Sequence, residues 1–335
     1  MNAADDALLD PHEGAETLRR LPGLSDADLQ FRGHHRIKEH LMRETARNIR
    51  PTRTRSRRPM ALFLAAGAAT CAVALAVTFG MNGSDGRPPV ARPEPAAVQL
   101  LDRVALAAQA APAPAVRDGQ FLYTKTTGHS TALSETTGGG MEPSRTDESA
   151  ERWVSVDGTA GTLTVNAKGS TTDPVRGKDS ASLNGPTYRF LETLPTDPDR
   201  LLETIYADAR SHHGSDSGST TGPDQQAFVA IGDLLRTVEA PPGISAALYR
   251  AAARIPGVVL VPESTDAAGR AGVAVARVHN GERTEWIFDK GSLRLLGERT
   301  VLLKDSAWGK AGTPVTSVAI VGRGVADKAG QTPRQ

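Results

Sequence analysis

The chain has 335 residues, a formal net charge of +1 and one cysteine, Cys71. Its 39 basic and 38 acidic residues nearly cancel, which excludes the overall charge signature of a nucleic-acid-binding protein, so we expect no direct contact with nucleic acid. A single cysteine also excludes a disulfide framework and a cysteine-based metal site, so the folded part must depend on a hydrophobic core.

The first 58 residues are predicted to be a cytoplasmic segment that contains a basic amphipathic helix. Residues 32–58 hold ten Lys or Arg against two acids, and apolar residues recur there at helical spacing. Such a helix docks into a partner protein or lies on the inner leaflet; the simpler alternative is a topogenic flank with marginal helicity. The candidate partner-contact residues are Ile37, Leu41, Met42 and Ile49.

Residues 60–81 form an uncharged apolar run that, as a helix, is long enough to cross a hydrocarbon core of about 30 Å. Arginines crowd its N-terminal side, which places the N-terminus in the cytoplasm. We therefore predict a transmembrane helix over residues 59–81 in the cell membrane, with the lipid bilayer as partner and the rest of the chain extracytoplasmic. A cleaved signal peptide, a lipid anchor at Cys71 and a buried soluble helix fit this length and these flanks less well.

Residues 82–97 are rich in Pro and Gly and predict a semi-rigid linker. An apolar stripe then predicts a helix over 98–110, and a period of two predicts a strand over 120–126 and a hairpin that begins at Glu151. The polar segments 128–149 and 168–184 show no apolar period and are predicted to be loops.

Three helices are predicted next, beginning at Asp197-Pro198, at Pro223 and at Ile244. Asn280-Gly281 predicts a two-residue hairpin turn within the second run of strands. Strands on both sides of a helical block indicate an α+β domain over residues 98–325, followed by a disordered tail over 326–335. The predicted second run of strands covers 258–261, 273–278, 284–288, 293–303 and 315–321.

Several stretches together resemble a known family. They are GHHRIKEHLMRE (33–44), VRDGQFLYTKT (116–126), ERWVSVDG (151–158), LPTDPDRLLETIY (194–206), IPGVVLVPESTDAAGRAGVAVA (255–276) and WIFDKGSLRLLGER (286–299). Over nearly its whole length the chain resembles a family of actinobacterial single-pass membrane proteins of unknown function, often encoded beside extracytoplasmic-function sigma factors. The outer domain also resembles the LolA, LolB and RseB fold, which implies a curved antiparallel sheet covered by helices in a half-barrel.

Aromatic residues of the predicted sheet either fill its core or line an apolar cavity, as the resembled folds imply. If they line a cavity, its occupant would be an apolar or lipoprotein ligand outside the membrane. The candidate lining residues are Phe121, Tyr123, Trp153, Trp286 and Phe288.

The sequence contains no G-x-S-x-G, H-E-x-x-H, P-loop or dinucleotide fingerprint, and the group His34, His35, Glu39 and His40 lacks the spacing of zinc ligands. We therefore expect no catalytic residue, no cofactor, no metal ion and no enzymatic activity, although paired carboxylates need no motif. The leading hypothesis is an extracytoplasmic binding or sensing domain that regulates a sigma factor on the cytoplasmic side. The alternative is a membrane-tethered lipid or lipoprotein binding protein with no signalling role.

Overall fold

The structure is a computed structural model that describes residues 91–136, 140–173, 181–212 and 222–333. The predicted cytoplasmic segment, the predicted transmembrane helix and most of the linker lie outside the described residues. So do the candidate partner-contact residues Ile37, Leu41, Met42 and Ile49.

The described residues contain five helices, four of which begin with proline at the first helical position. Proline is favoured there because its fixed φ suits the helix and its missing N–H would have had no partner in the helix. The exception is the short second helix, which Thr187 caps by accepting a hydrogen bond from the Phe190 N–H. The helices are α1 (Pro95–Ala110), α2 (Tyr188–Glu192), α3 (Pro198–His212), α4 (Pro223–Thr237) and α5 (Pro242–Ala252).

The described residues contain ten strands: β1 (Phe121–Glu135), β2 (Met141–Asp147), β3 (Ala150–Ser155), β4 (Thr162–Asn166), β5 (Gly169–Asp173), β6 (Val258–Thr265), β7 (Ala271–His279), β8 (Glu282–Phe288), β9 (Leu295–Leu302) and β10 (Pro314–Ala326). They form one antiparallel sheet in the order β5-β4-β3-β1-β10-β9-β8-β7-β6, and β2 pairs with the second half of β1. Strands β1 and β10 are therefore neighbours in the middle of the sheet, where they join the two sequential groups of strands.

The helices pack on one face of the sheet, here called the helix face, and form the main hydrophobic core with it. Side chains alternate between the two faces along a strand, so Leu122 of β1 and Val275 of β7 enter this core while their neighbours point away. Helix α4 contributes the centre of the core through Phe228 and Ile231, which are fully buried.

Two segments of the chain cover the opposite face. The far end of the β6–β7 hairpin folds across β8 to β10, because the Ser264 hydroxyl donates to Glu285 and the Arg270 guanidinium donates to the carbonyl of Ile320 on β10. Beyond β10, residues 327–333 lie over β1 and β3, where the Trp153 indole N–H donates to the Gln331 carbonyl at 2.7 Å.

The fold class predicted from the sequence, a transmembrane helix plus a LolA/RseB-like α+β half-barrel, is wrong for the residues that the structure describes. They form a large antiparallel sheet with few helices. Among these residues no helix is both long enough and apolar enough to cross a membrane.

The sheet is larger than predicted because the polar segments 128–149 and 168–184 contribute strands as well as loops. They supply the second half of β1, all of β2 and all of β5. Nearly every residue of β2 and most residues of β5 are exposed. Both strands are paired through their backbones without burying an apolar side.

The three helices predicted between the strands are confirmed, and so is the hairpin turn. Asn280 and Gly281 adopt φ values of 51° and 81°, as a two-residue turn with a left-handed backbone requires, and His279 pairs with Glu282 across it.

Candidate functional site

The five aromatic residues that were candidates for either core filling or cavity lining are divided between the two faces of the sheet. Phe121, Tyr123 and Trp153 cluster on the opposite face. Trp286 and Phe288 belong to the main core on the helix face. The structure therefore does not bring the five together around one cavity.

Trp286 and Phe288 fill space beneath the helices. The Trp286 indole stacks on the Phe228 ring of α4 with centroids 4.0 Å apart, and Phe288 meets Tyr249 of α5 edge to face at 5.7 Å. Trp286 is 1% exposed and Phe288 is completely buried, so both rings act as core residues.

A group of polar side chains interrupts this core below the C-terminal half of α4. Trp286 of β8 and Glu298 of β9 are directly opposite each other across the two strands. Gly232 of α4 lies against both: a Cβ at this position would be 2.5 Å from Trp286 Nε1 and 2.9 Å from Glu298 Oε2. The glycine thus lets the helix approach two polar atoms that a larger residue would push away.

Neither of these atoms is hydrogen-bonded, although both are buried. Trp286 Nε1 and Glu298 Oε2 are among the few buried side-chain atoms without a partner in the described part of the chain. Buried polar groups are almost always paired in native proteins. A donor and an acceptor left open side by side therefore mark a place where a small polar group would be stabilised.

Charged side chains continue this group along α4. Asp233 and Arg236 form an ion pair at 2.6 Å, with Arg236 only 9% exposed. Arg323 of β10 donates to the backbone carbonyls of Leu235 and Arg236 at the end of the helix, while its Nε stays buried without a partner. A cation is favourable at this position because the C-terminal carbonyls of a helix carry partial negative charge. Together the α4 polar cluster consists of Asp233, Arg236, Trp286, Glu298 and Arg323.

The cluster contains a carboxyl group that titrates near neutral pH. Burial raises the pKa of Glu298 to about 7; the positive charge of Arg236 opposes the shift and the negative charge of Asp233 adds to it. Burial also lowers the pKa of Arg323. Near neutral pH the Glu298 carboxyl is therefore able either to donate a hydrogen bond, when protonated, or to accept one, when ionised.

An arrangement with the residue types of a hydrolase triad occurs elsewhere but is not assembled for catalysis. Ser317, His129 and Asp147 are opposite one another on β10, β1 and β2. However, Arg145 lies 2.7 Å from His129 Nδ1, and the imidazole also bonds the backbone of Pro314. Burial and Arg145 lower the pKa of His129. With both ring nitrogens engaged, this histidine has no free nitrogen to accept a serine proton.

No metal centre is built from the described residues, which contain no group of three or more His, Cys, Asp or Glu placed to hold an ion. The α4 polar cluster offers instead an unpaired donor and an unpaired acceptor side by side, Trp286 Nε1 and Glu298 Oε2, and an unpaired Arg323 Nε farther along α4. Such groups suit hydrogen bonding to a polar molecule.

Sequence reasoning missed this cluster. Glu298 lies within the predicted strand 293–303, and Arg323 lies just beyond the predicted strand 315–321. Arg236 lies in an amphipathic helix, where charged residues are common. Alternation along β9 gave no signal for Glu298, because the inward orientation of its same-face neighbour Thr300 is seen only in the structure. Register between strands was needed to bring it opposite Trp286.

The comparisons with known proteins leave the resemblance proposed above as a prediction. No protein-family model, curated protein or solved structure matches this chain.

Proposed function

We propose that the described domain binds a small polar molecule at the α4 polar cluster and thereby regulates an extracytoplasmic-function sigma factor. One observation carries the binding part of the proposal: Trp286 Nε1, Glu298 Oε2 and Arg323 Nε are buried without hydrogen-bond partners. Leaving such a group unpaired costs about 1–3 kcal/mol. A ligand that supplies the missing partners recovers this free energy as affinity.

The open atoms define the chemistry of the ligand. The N–H groups of Trp286 and Arg323 call for acceptors such as carbonyl, hydroxyl or carboxylate oxygens. Glu298 complements either a donor or an acceptor, because its pKa is raised to about 7. An acyl chain would leave all three groups unpaired, so the site favours a small polar molecule over a lipid.

The same contacts couple the site to α4. Gly232 lies against Trp286 and Glu298, and Arg323 holds the last carbonyls of the helix. A ligand that bonds any of these side chains changes the support of α4, which is the differential contact that a sensing domain needs.

The regulatory output rests on the sequence. The basic amphipathic stretch around Ile37, Leu41 and Ile49 is the proposed contact with a sigma factor, and the proposed location in the cell membrane rests on the apolar residues 60–81. All of these residues lie outside the described residues. The lipid-binding alternative also rests on the sequence, and the division of the five aromatic residues between two faces gives it no support.

The binding part is tested by a thermal-shift screen of the full chain against amino acids, hydroxy acids and sugar acids at neutral pH. A hit should raise the melting temperature of the unaltered chain but not of the Glu298→Gln and Trp286→Phe variants. Glu263→Gln is the matched control, because Glu263 pairs with Lys290 at the surface. A ligand response that survives both cluster substitutions contradicts the proposed site.

The regulatory part is tested by purifying the tagged full chain from its own cells and identifying copurified proteins by mass spectrometry. A sigma factor should be recovered, and should be lost when Ile37, Leu41 and Ile49 are all changed to Ser. Recovery of nonspecific acidic proteins alone contradicts the regulatory role and leaves the binding role intact.

A further inference from the structure

The chain beyond β10 returns over the sheet as a strap, defined here as residues 327–333. It crosses the opposite face above the aromatic cluster of β1 and β3, away from the α4 polar cluster. Trp153 and Tyr123 are 3% and 5% exposed beneath it, whereas Gln331 is exposed to solvent. The strap thus shields aromatic side chains without being buried itself.

The strap begins with a turn, in which Gly330 has a φ of 82° and the Gln331 N–H donates to the Lys328 carbonyl at 3.2 Å. Its last three residues, 331–333, are then bound through contacts of the kind that proteins use for proline-containing peptides. The Trp153 indole N–H donates to the backbone carbonyl of Gln331 at 2.7 Å, and the Tyr123 ring lies beside it with centroids 5.1 Å apart. Two residues further on, Pro333 rests on Gly324, where an added Cβ would be 2.8 Å from the proline ring. Aromatic grooves with a backbone-directed donor and room for a proline are typical of this recognition mode.

Few polar contacts hold the strap down. Within the described part of the chain, Asp327 accepts a hydrogen bond from Gln120 at 2.7 Å and pairs with Arg117 at 3.4 Å. The side chains of Arg117 and Asp327 are 78% and 71% exposed, so solvent screens this ion pair and it holds the strap weakly. Besides these contacts the strap is held to the sheet by the indole hydrogen bond, the proline contact and the approach of Gly330 to Leu163, so we expect it to be exchangeable.

We propose that the groove formed by Tyr123, Trp153 and Gly324 is a docking site for a proline-containing segment of a partner protein, and that the strap is its resident occupant. The partner displaces the strap and takes over the Trp153 N–H and the space above Gly324. This site lies on the other face of the sheet from the α4 polar cluster and does not depend on the proposed function.

The test uses a fluorescein-labelled peptide with the sequence of residues 326–335, ADKAGQTPRQ. The full chain is produced with a protease site between Asp327 and Lys328, cut after folding and washed free of the released strap. By fluorescence anisotropy, the peptide should bind the cut chain saturably and the uncut chain at least ten-fold more weakly, because the uncut chain occupies its own groove.

Two substitutions identify the contacts. Trp153→Phe removes one hydrogen-bond donor and keeps an aromatic ring, so it should weaken peptide binding to the cut chain about five-fold. Replacing the peptide proline that corresponds to Pro333 by Ala should also weaken binding. Trp308→Phe is the matched control and should leave binding unchanged, since Trp308 packs with Leu302 and Val315 in a separate cluster. Equal binding to cut and uncut chains, or no effect of Trp153→Phe, overturns the proposal.

A second measurement covers the case in which the cut chain does not stay folded. Hydrogen exchange of the amides of residues 327–333 is followed in the intact chain while the unlabelled peptide is added in excess. Displacement predicts faster exchange in the strap, and Trp153→Phe predicts faster exchange without any peptide. Exchange that the peptide leaves unchanged shows a fixed structural strap and overturns the docking site.

Discussion

The Phe228 ring stacks on the Trp286 indole, with centroids 4.0 Å apart and planes inclined by 7°. This contact joins the middle of α4 to β8 at the boundary between the hydrophobic core and the α4 polar cluster. The ring of Trp286 thus belongs to the core, while its N–H, which has no hydrogen-bond partner, faces the candidate site. Packing and binding are therefore expected to respond to different substitutions of neighbouring residues.

Phe228→Ala should destabilise the fold strongly, because it removes a fully buried ring and leaves a cavity against Trp286. Replacing a buried Phe by Ala typically costs about 3–5 kcal/mol of the free energy of unfolding. Urea denaturation measures the loss, and Phe228→Leu, which keeps most of the volume, should lose clearly less. A loss of less than about 1 kcal/mol in the free energy of unfolding of Phe228→Ala would show that the stack contributes little to the stability of the core.

Gly232→Ala should destabilise the chain although alanine favours helices. The added methyl would lie 2.5 Å from Trp286 Nε1 and 2.9 Å from Glu298 Oε2, so the helix or the indole must move. Overpacking of this kind costs about 1–3 kcal/mol, which exceeds the helix propensity gained by about 1 kcal/mol at most.

The matched control for that substitution is Gly243→Ala in α5, where an added Cβ meets only the Thr196 methyl at an ordinary 3.8 Å. It should leave stability unchanged or raise it, since helix propensity acts without a clash. Equal stability changes for the two variants, measured by urea denaturation, would contradict the close approach at Gly232.

The parts of the fold that the sequence predicts are those with a local signal. The stripe Phe228, Ile231, Leu235 and Val238 predicts α4 because each side chain returns to the same side of a helix, and all four are buried. Asn280-Gly281 predicts its turn because the required backbone is hard for other residues to adopt. Strand β2 gives no such signal, because its side chains face solvent on both sides.

The candidate site could not be predicted because it depends on register. Trp286 and Glu298 are opposite each other only through the pairing of β8 with β9, and Arg323 reaches α4 from β10, 87 positions away in sequence from Arg236. Whether the five aromatic residues fill the core or line a cavity could not be decided from the sequence for a related reason. The sequence shows which residues of each strand are apolar, but tertiary packing decides on which face of the sheet Tyr123 and Trp286 lie.

Glu285→Ala should be among the most destabilising substitutions on the opposite face. The Glu285 side chain is completely buried and bonds Arg283 and Arg299, each at 2.8 Å, and the Ser264 hydroxyl at 2.6 Å. Removing one side of a buried ion pair typically costs about 3–5 kcal/mol, because the partner charges stay behind. Both arginines would lose their carboxylate, and the β6–β7 hairpin would lose an anchor.

The control is Glu263→Ala, which breaks a pair with Lys290 whose glutamate side chain is 78% exposed. Such surface pairs are worth about 0–1 kcal/mol, so little change is expected. Thermal melting of both variants distinguishes the two cases, and similar melting temperatures would show that Glu285 is not a structural anchor.

The free energy of unfolding should fall between pH 5 and pH 8 because of Glu298, and Glu298→Gln should remove this part of the pH dependence. Burial raises the pKa of Glu298 from 4.5 to about 7, so the folded chain holds this proton more tightly than the unfolded chain. The resulting stabilisation is complete below the unfolded pKa and is lost as the pH rises through about 7. At about 1.4 kcal/mol per pKa unit, the difference between the unaltered chain and Glu298→Gln should change by about 1–3 kcal/mol over this range. Urea denaturation at intervals of one pH unit measures it, with Glu263→Gln as a control that should run parallel to the unaltered chain. If the Glu298→Gln curve also runs parallel, the carboxyl is either paired or solvated in solution, and the α4 polar cluster does not hold the unpaired buried acceptor on which the proposed function rests.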